Sequence, residues 1–110
     1  MLEGIFGNKT AEKILLHIYH YGAIHASAIA DDYKIYKNSV LNQLNRFENA
    51  GVLISKQVGK SRIYSLNKKS PYYNAIKELL QIAYESIPLE ERVKLFKERR
   101  RPRRKGKPIR

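Results

Sequence analysis

The spacing of apolar residues predicts a mainly α-helical chain with one β-hairpin. Five stretches repeat apolar residues at the 3.6-residue period of an α-helix, and two shorter stretches are typical of β-strands. The helices are expected at about residues 10–21, 26–33, 38–50, 71–86 and 89–100, and the strands at about residues 52–58 and 62–66. Gly22 and Gly51 follow helices as C-terminal capping glycines do, and Ser70 with Pro71 is a typical helix start. The pattern therefore predicts an α+β fold.

The order of these elements predicts a helix-turn-helix followed by a wing. The short helix at residues 26–33 has small inward residues that allow another helix to approach closely, and residues 34–37 form a short turn before the next helix. A hairpin that directly follows such a pair of helices is a wing. Residues 23–25, which precede the pair, are expected to form a linker or a short edge strand.

The helix that begins near Asn38 has an unusual polar face. Its apolar residues share one arc, whereas the opposite arc carries amides, a hydroxyl and one Arg, with no acid between Asn38 and Phe47. Side-chain amides match the donors and acceptors of base edges in the DNA major groove, and phosphates would repel acids. Either this is a polar surface helix, or it reads DNA. The residues expected in the major groove are Lys37, Asn38, Ser39, Asn42, Gln43 and Arg46. Asn42 and Gln43 are expected to prefer adenine, and Arg46 to contact guanine or phosphate.

Basic residues surround the expected tip of the wing. Residues 59–61 form a tight turn, and Lys56, Lys60 and Arg62 lie on either side of it or within it. These three side chains are expected to reach backbone phosphates or the minor groove beside the helix.

The net charge suggests a polyanionic partner. The chain has 110 residues and a formal charge of +12, and nine of its 22 Lys and Arg residues lie after Phe96 beside one acidic residue. We expect residues 1–69 to form a DNA-binding domain, residues 70–100 C-terminal helices, and residues 101–110 a disordered basic tail. The tail is expected either to contact DNA or RNA, or to be simply solvated.

The helix at residues 71–86 predicts a homodimer. Its apolar face is broader than a small winged domain needs to cover itself. Leu16 and Tyr19 lie off the inward stripe of the first helix and are expected to face a second subunit or the C-terminal helix. The predicted dimerisation residues are Leu16, Tyr19, Tyr72, Ile76, Leu79, Leu80 and Ala83.

Few residues suggest any other chemistry. The absence of Cys excludes disulfides and thiolate metal sites. His17 and His20 lie on one helix face, either as a metal-binding pair or, as we expect, as solvated surface histidines. Asp31 and Asp32 either form an acid pair or, as we expect, end the short helix or face solvent. We find no catalytic constellation and expect no cofactor. Without a signal peptide or an apolar run of membrane-spanning length, a cytoplasmic protein is expected.

Three segments resemble small prokaryotic winged-helix regulators. Residues 6–15 resemble their opening, residues 38–53 their recognition helix and its exit, and residues 59–66 their basic wing with a Tyr on the return strand. The resemblance is closest to the arsenic-repressor-like and multiple-antibiotic-resistance-regulator-like groups and covers about residues 6–80. It implies a homodimer on a near-palindromic operator, with the first and last helices at the interface. Metal-sensing members of the first group use Cys or His clusters, and this chain has no Cys.

These observations predict a transcriptional regulator rather than an enzyme. It would bind double-stranded DNA in a sequence-specific manner as a homodimer, with the tail adding affinity. The second hypothesis is a winged-helix module that binds RNA or docks onto a protein, with the Arg-rich tail as its main contact.

Overall fold

The computed structural model describes residues 2–96, apart from the side chain of Glu3. The elements are α1 (Glu3–Phe6), α2 (Lys9–Tyr21), β1 (Ala23–His25), α3 (Ala26–Tyr33), α4 (Lys37–Asn49), β2 (Leu53–Val58), β3 (Ser61–Leu66), α5 (Tyr73–Glu85) and α6 (Leu89–Leu95). The expected α+β fold is confirmed, with α3 and α4 as the helix-turn-helix and β2 and β3 as the wing. The expected extension of the last helix to residue 100 and the basic tail lie outside the described residues.

Helix α1 has no counterpart in the apolar pattern, because four residues are too few to show a helical period. The Leu2 carbonyl accepts hydrogen bonds from the N–H groups of Ile5 and Phe6, both at 3.0 Å. The Leu2 N–H donates to Oε2 of Glu12 at 2.8 Å, and the Leu2 side chain is buried. These contacts hold α1 against α2.

Local capping groups define the two ends of α2. Oδ1 of Asn8 accepts a hydrogen bond from the Ala11 N–H at 2.8 Å, which satisfies one of the unpaired donors of the first turn. At the other end, the Gly22 N–H donates to the Ile18 carbonyl at 2.8 Å. Gly22 has a φ of 83°, a conformation that is strained for residues with a side chain. The predicted glycine stop of the first helix is therefore confirmed.

Helix α5 begins at Tyr73, two residues later than the sequence predicts. Oγ of Ser70 accepts from the Tyr72 N–H at 3.1 Å, and the Ser70 carbonyl accepts from the Tyr73 N–H at 3.1 Å. These bonds close a turn through Pro71, so Tyr72 is the N-cap in place of Ser70, and Pro71 precedes the helix instead of being its first residue. The expected start at Pro71 is wrong for this reason.

The three strands form an antiparallel sheet in the order β1-β3-β2. Ile24 in β1 lies opposite Tyr64 in β3, so residues 23–25 form the short edge strand and not merely a linker. In the wing, Val58 lies opposite Ser61, which leaves Gly59 and Lys60 as a two-residue turn. The Gly59 φ of 61° suits the turns that join such strands.

The core lies where α2, α3 and α4 meet the sheet and α5. The large side chains with almost no exposed surface include Ile14, Leu15, Ile18, Ile29, Val40, Leu44, Leu53 and Leu80. A left-handed Lys34, with a φ of 56°, ends α3, and the Ile35 N–H then donates to the Ala30 carbonyl at 3.1 Å. This tight turn sets α4 across α3, as in a helix-turn-helix.

The structure buries His17, which the sequence pattern predicts on the surface. The side chain is 0% exposed, with Nε2 2.9 Å from Oδ2 of Asp32 and Nδ1 2.9 Å from the Tyr33 hydroxyl. The Asp32 side chain is itself only 4% exposed, so the expectation that it faces solvent is also wrong. A buried His needs polar partners, and the end of α3 supplies them. Within residues 2–96, no three His, Asp or Glu side chains are grouped to hold a metal ion.

Phe96 folds the end of α6 back onto α2 and α5. Its side chain is 2% exposed, and its ring centroid lies 5.0 Å from that of His17, 4.7 Å from that of His20 and 5.4 Å from that of Tyr84. The aromatic packing places the last described residue on the body of the domain. None of the helices in residues 2–96 combines the length and apolar character needed to cross a membrane.

Candidate nucleic-acid interface

Packing leaves the polar face of α4 open to solvent. Val40 and Leu44 are fully buried and Phe47 nearly so, as the predicted apolar arc requires. The six predicted groove residues all lie on the accessible side, exposed except for a half-buried Gln43: Lys37, Asn38, Ser39, Asn42, Gln43 and Arg46. The residue at the N-cap of α4, Tyr36, makes no capping hydrogen bond with its side chain. The positive end of the helix dipole is therefore presented on the same surface.

A groove of about 230 Å³ joins α4 to the wing. Its basic lining residues are Lys37 from α4 and Lys60 and Arg62 from the wing, and Ser27 in the first turn of α3 lies beside them. In the sequence, Lys37 lies more than 20 residues before Lys60 and Arg62. The fold gathers them around one opening, where their charges act on the same ligand.

Hydrogen bonds hold Arg62 in place beside this groove. Nη1 of Arg62 donates to Oγ of Ser55 at 2.9 Å, and the Ser55 hydroxyl donates to Oε2 of Glu48 at 2.7 Å. Ser55 and Tyr64 are paired in the β2–β3 register. The chain of contacts links the wing to the C-terminal end of α4, so the two surfaces keep a defined separation.

Lys56 lies on the opposite face of the wing from Arg62. In the antiparallel register, Lys56 is opposite Ile63, whereas Gln57 is opposite Arg62. Because side chains alternate across a strand, Lys56 and Arg62 point to different sides of the hairpin. The structure therefore does not bring Lys56 to the groove with Lys60 and Arg62.

Arg46 and Gln43 interact with each other and with α1. Oε1 of Gln43 accepts two hydrogen bonds from Arg46, from Nε at 3.1 Å and from Nη2 at 2.8 Å. Nη2 of Arg46 also donates to the Phe6 carbonyl at 2.7 Å, and the guanidinium lies 4.7 Å from the centroid of the Phe47 ring. The helical pattern places Gln43 and Arg46 on one face but gives no sign of Phe6, whose contact spans 40 residues.

One tyrosine lines the groove, and another directly precedes α4. Tyr64 is buried, and this burial, followed by the nearby Glu48 carboxylate, raises the pKa of its phenol, while Arg62 acts in the opposite direction. Tyr36, directly before α4, is 84% exposed. Sequence reasoning did not single out Tyr36 as an exposed residue next to α4. Its position in the short turn of the helix-turn-helix is the signal that identifies it.

The predicted dimerisation residues fall into two groups. Leu16, Leu80 and Ala83 are buried by the chain's own packing, whereas Tyr72 is 62% exposed. Tyr19 packs on Tyr84 of α5 with ring centroids 5.3 Å apart, so it faces the C-terminal helix, one of its two expected neighbours. Ile76 and Leu79 are half-buried. Their role in a dimer stays a prediction.

Further apolar surface lies on the C-terminal helices. Ile82 of α5 is 61% exposed, and Leu89 and Val93 of α6 are both 67% exposed. Ile82 and Leu89 are not among the dimerisation residues predicted from the sequence. The exposure of these side chains in the folded chain identifies them as free apolar surface, which the apolar pattern alone does not do.

Comparison with known proteins supports the fold. No protein-family model matches the chain, and no curated protein matches it in sequence. The crystal structure of the YusO protein from Bacillus subtilis is similar, with a TM-score of 0.57 and 14% sequence identity over 78% of this chain and 67% of that one. At this identity the similarity concerns the fold alone. The six helices and three-stranded sheet form a winged-helix-like α+β fold.

Proposed function

We propose that the protein binds double-stranded DNA in a sequence-specific manner and regulates transcription as a homodimer. The observation that carries the proposal is the exposure of two features of one helix and its neighbour. The acid-free polar face of α4 is open to solvent, and Lys37 at the start of α4 lines one groove with Lys60 and Arg62 of the wing. Amides that match base edges lie beside cations that match phosphates, which is the combination that a DNA-reading surface needs.

The two parts of this surface have different roles in the proposal. Helix α4 enters the major groove, where Asn38, Asn42 and Gln43 meet base edges. Lys60 and Arg62 hold the flanking backbone from the wing, and their contacts carry no base information. The N-terminus of α4 adds a favourable field for a phosphate.

The exposed apolar residues of the C-terminal helices support the homodimer. Tyr72 just before α5, Ile82 on α5, and Leu89 and Val93 on α6 are apolar side chains that are each more than 60% exposed. A second copy of the chain is the proposed partner, because a two-fold dimer presents two α4 helices to the two halves of one palindromic site.

Selection of bound sequences from random duplex DNA tests the proposal. The full chain is compared with a full-length variant in which the nine basic residues after Phe96 are replaced by Gln. We expect an inverted repeat with the same consensus for both proteins, and weaker, less salt-sensitive binding for the variant. An absence of any enriched motif for the full chain would contradict sequence-specific binding.

The same two proteins, tested also on RNA probes, distinguish the second candidate function, which the density of Arg and Lys after Phe96 favours. An RNA-binding module driven by the tail would show salt-sensitive binding without a duplex motif. Replacement of the nine basic residues would then remove most of its affinity for single-stranded and hairpin RNA probes. A regulator of the first kind would keep its duplex consensus.

A further inference from the structure

The hydrogen bonds of Gln43 determine which part of its amide is available to a partner. Arg is a donor with no acceptor, so the Gln43 atom that faces Arg46 at 2.8 and 3.1 Å must be the oxygen. Those two N–H groups occupy the two lone-pair directions of Oε1. The amide therefore has only its NH₂ group left for an external ligand, although Gln is ordinarily both donor and acceptor.

Arg46 is held in this position from a second direction. Its Nη2 donates to the Phe6 carbonyl at 2.7 Å, while the Phe6 ring packs edge-on against Phe47 with centroids 6.1 Å apart. The guanidinium lies 4.7 Å from the centroid of the same Phe47 ring. The contacts bind Arg46 to α1 and to its own helix, so Gln43 is oriented before any ligand arrives.

We infer that Arg46 sets the base preference of Gln43, so that Gln43 reads guanine rather than adenine. The inference rests on the proposed binding of DNA through α4. Adenine presents an acceptor at N7 and a donor at N6, and recognition of both needs a bidentate amide with its oxygen available. Guanine presents two acceptors, N7 and O6, which suit an NH₂ group alone. The positive charge of Arg46 behind the amide further favours this electron-rich edge.

This inference assigns Arg46 a positioning role and revises the adenine preference expected for Gln43 from the sequence. Asn42 keeps its expected adenine preference, because its amide has no described partner that blocks its oxygen. The two amides on neighbouring positions of α4 would thus read different bases. The difference comes from the residue three positions after Gln43, not from the amides themselves.

The test is selection from random duplex DNA with three full-length variants. Arg46→Ala removes both donors to Oε1, and we expect the base at the Gln43 position to change from guanine to adenine, with about a tenfold change in relative preference. Gln43→Glu keeps the contact with Arg46 but replaces the NH₂ by an acceptor, and we expect guanine to be rejected in favour of cytosine, whose N4 is a donor. Arg62→Ala is the control for charge loss, and it should bind more weakly with an unchanged consensus.

The outcomes separate this inference from the proposed function. If the wild type and Arg46→Ala select the same consensus, the role of Arg46 is overturned while DNA reading remains intact. The role of Arg46 is likewise overturned if the wild type selects adenine at the position that Gln43→Glu changes. If the wild type enriches no motif, the proposed function and this inference both fail. Circular dichroism checks that each variant is folded. Because Gln43→Glu retains an i,i+3 ion pair with Arg46, it still tests the inference if Arg46→Ala loosens α1.

Discussion

At the scale of single residues, His17 is a buried polar side chain of α2 whose hydrogen-bond partners lie at the end of α3. It contacts the carboxyl group of Asp32 and the hydroxyl of Tyr33 at 2.9 Å each and has no exposed surface. We expect His17→Ala to lower the free energy of unfolding by about 2–4 kcal/mol, because it removes a partner from a buried carboxyl group and leaves a cavity. Urea unfolding monitored by circular dichroism measures the loss.

The matched control for His17 is an exposed polar residue of the wing. Gln57→Ala should change the free energy of unfolding by no more than about 0.5 kcal/mol, as surface substitutions usually do. Equal effects of the two substitutions would show that the contacts of His17 contribute little to stability.

The buried tyrosines predict a loss of stability in alkali. Burial raises the pKa of Tyr64 above the ordinary value of 10.0, and burial likewise raises that of Tyr33. The folded chain therefore holds these protons more tightly than the unfolded chain, so the stabilisation is present below pH 10 and is lost as the pH rises above it. Unfolding curves on both sides of that pH should show the decline, and Tyr64→Phe should make it shallower. Parallel declines in the wild type and the variant would contradict the role of Tyr64.

The burial of His17 cannot be predicted from the apolar pattern of α2. The apolar stripe of α2 correctly predicts that Ile14, Leu15 and Ile18 are buried. His17 lies off that stripe, and only the approach of Asp32 and Phe96 from other elements makes a buried His favourable. The helical period reports which residues need a core, but it does not report which polar residues receive partners from distant parts of the chain.

At the scale of elements, we propose that α4 supplies sequence specificity and that the wing supplies affinity. Asn42→Ala should reduce discrimination between the consensus and a single-base variant by about 1–3 kcal/mol, because an amide at a base edge is lost. Lys60→Ala should weaken binding to both sequences equally and lower the salt dependence by about one counterion. Fluorescence anisotropy at several salt concentrations measures both quantities. If the two substitutions have the same effect on discrimination, α4 is not the reading element.

Local patterns predict most of these elements but not all of their surroundings. The polar arc of α4 and the strand pair of the wing follow from alternation and periodicity, and the structure has both. Helix α1 is too short to show a period, yet its Phe6 carbonyl holds Arg46. The register of β2 and β3 places Lys56 and Arg62 on opposite faces of the hairpin. The closeness of these basic residues in the sequence does not predict this separation. The candidate surface is therefore predictable, whereas the hydrogen bonds that orient it are not.

At the scale of the whole molecule, two features act on the domain together. The positive charge lies largely after Phe96, and Phe96 itself is packed onto α2 and α5. The residue that precedes the basic segment is therefore packed on the folded domain. The apolar surface of the C-terminal helices is the other feature, since it remains exposed after the chain has covered Leu80 and Ala83. The sequence alone predicts the positive charge after Phe96. Only the folded structure distinguishes the exposed apolar residues of the C-terminal helices from those in the core.

The proposed homodimer is tested through this remaining apolar surface. Ile82→Asp and Val93→Asp each place a charge on a side chain that is more than half exposed in the single chain. Sedimentation equilibrium should show twice the chain mass of 12.8 kDa for the wild type and a shift towards a single chain for both variants, because a charge at an apolar contact is costly to bury. Ile5→Asp, at a residue of α1 that is 64% exposed, is the matched control and should remain dimeric.

Since two joined α4 helices are needed to bind both halves of an inverted repeat, the same variants should bind a half-site as well as the wild type does and lose the added affinity for the full repeat. A wild type that sediments as a single chain over a wide concentration range would contradict the dimer, and equal loss of half-site binding would show that the substitutions disturb the fold instead.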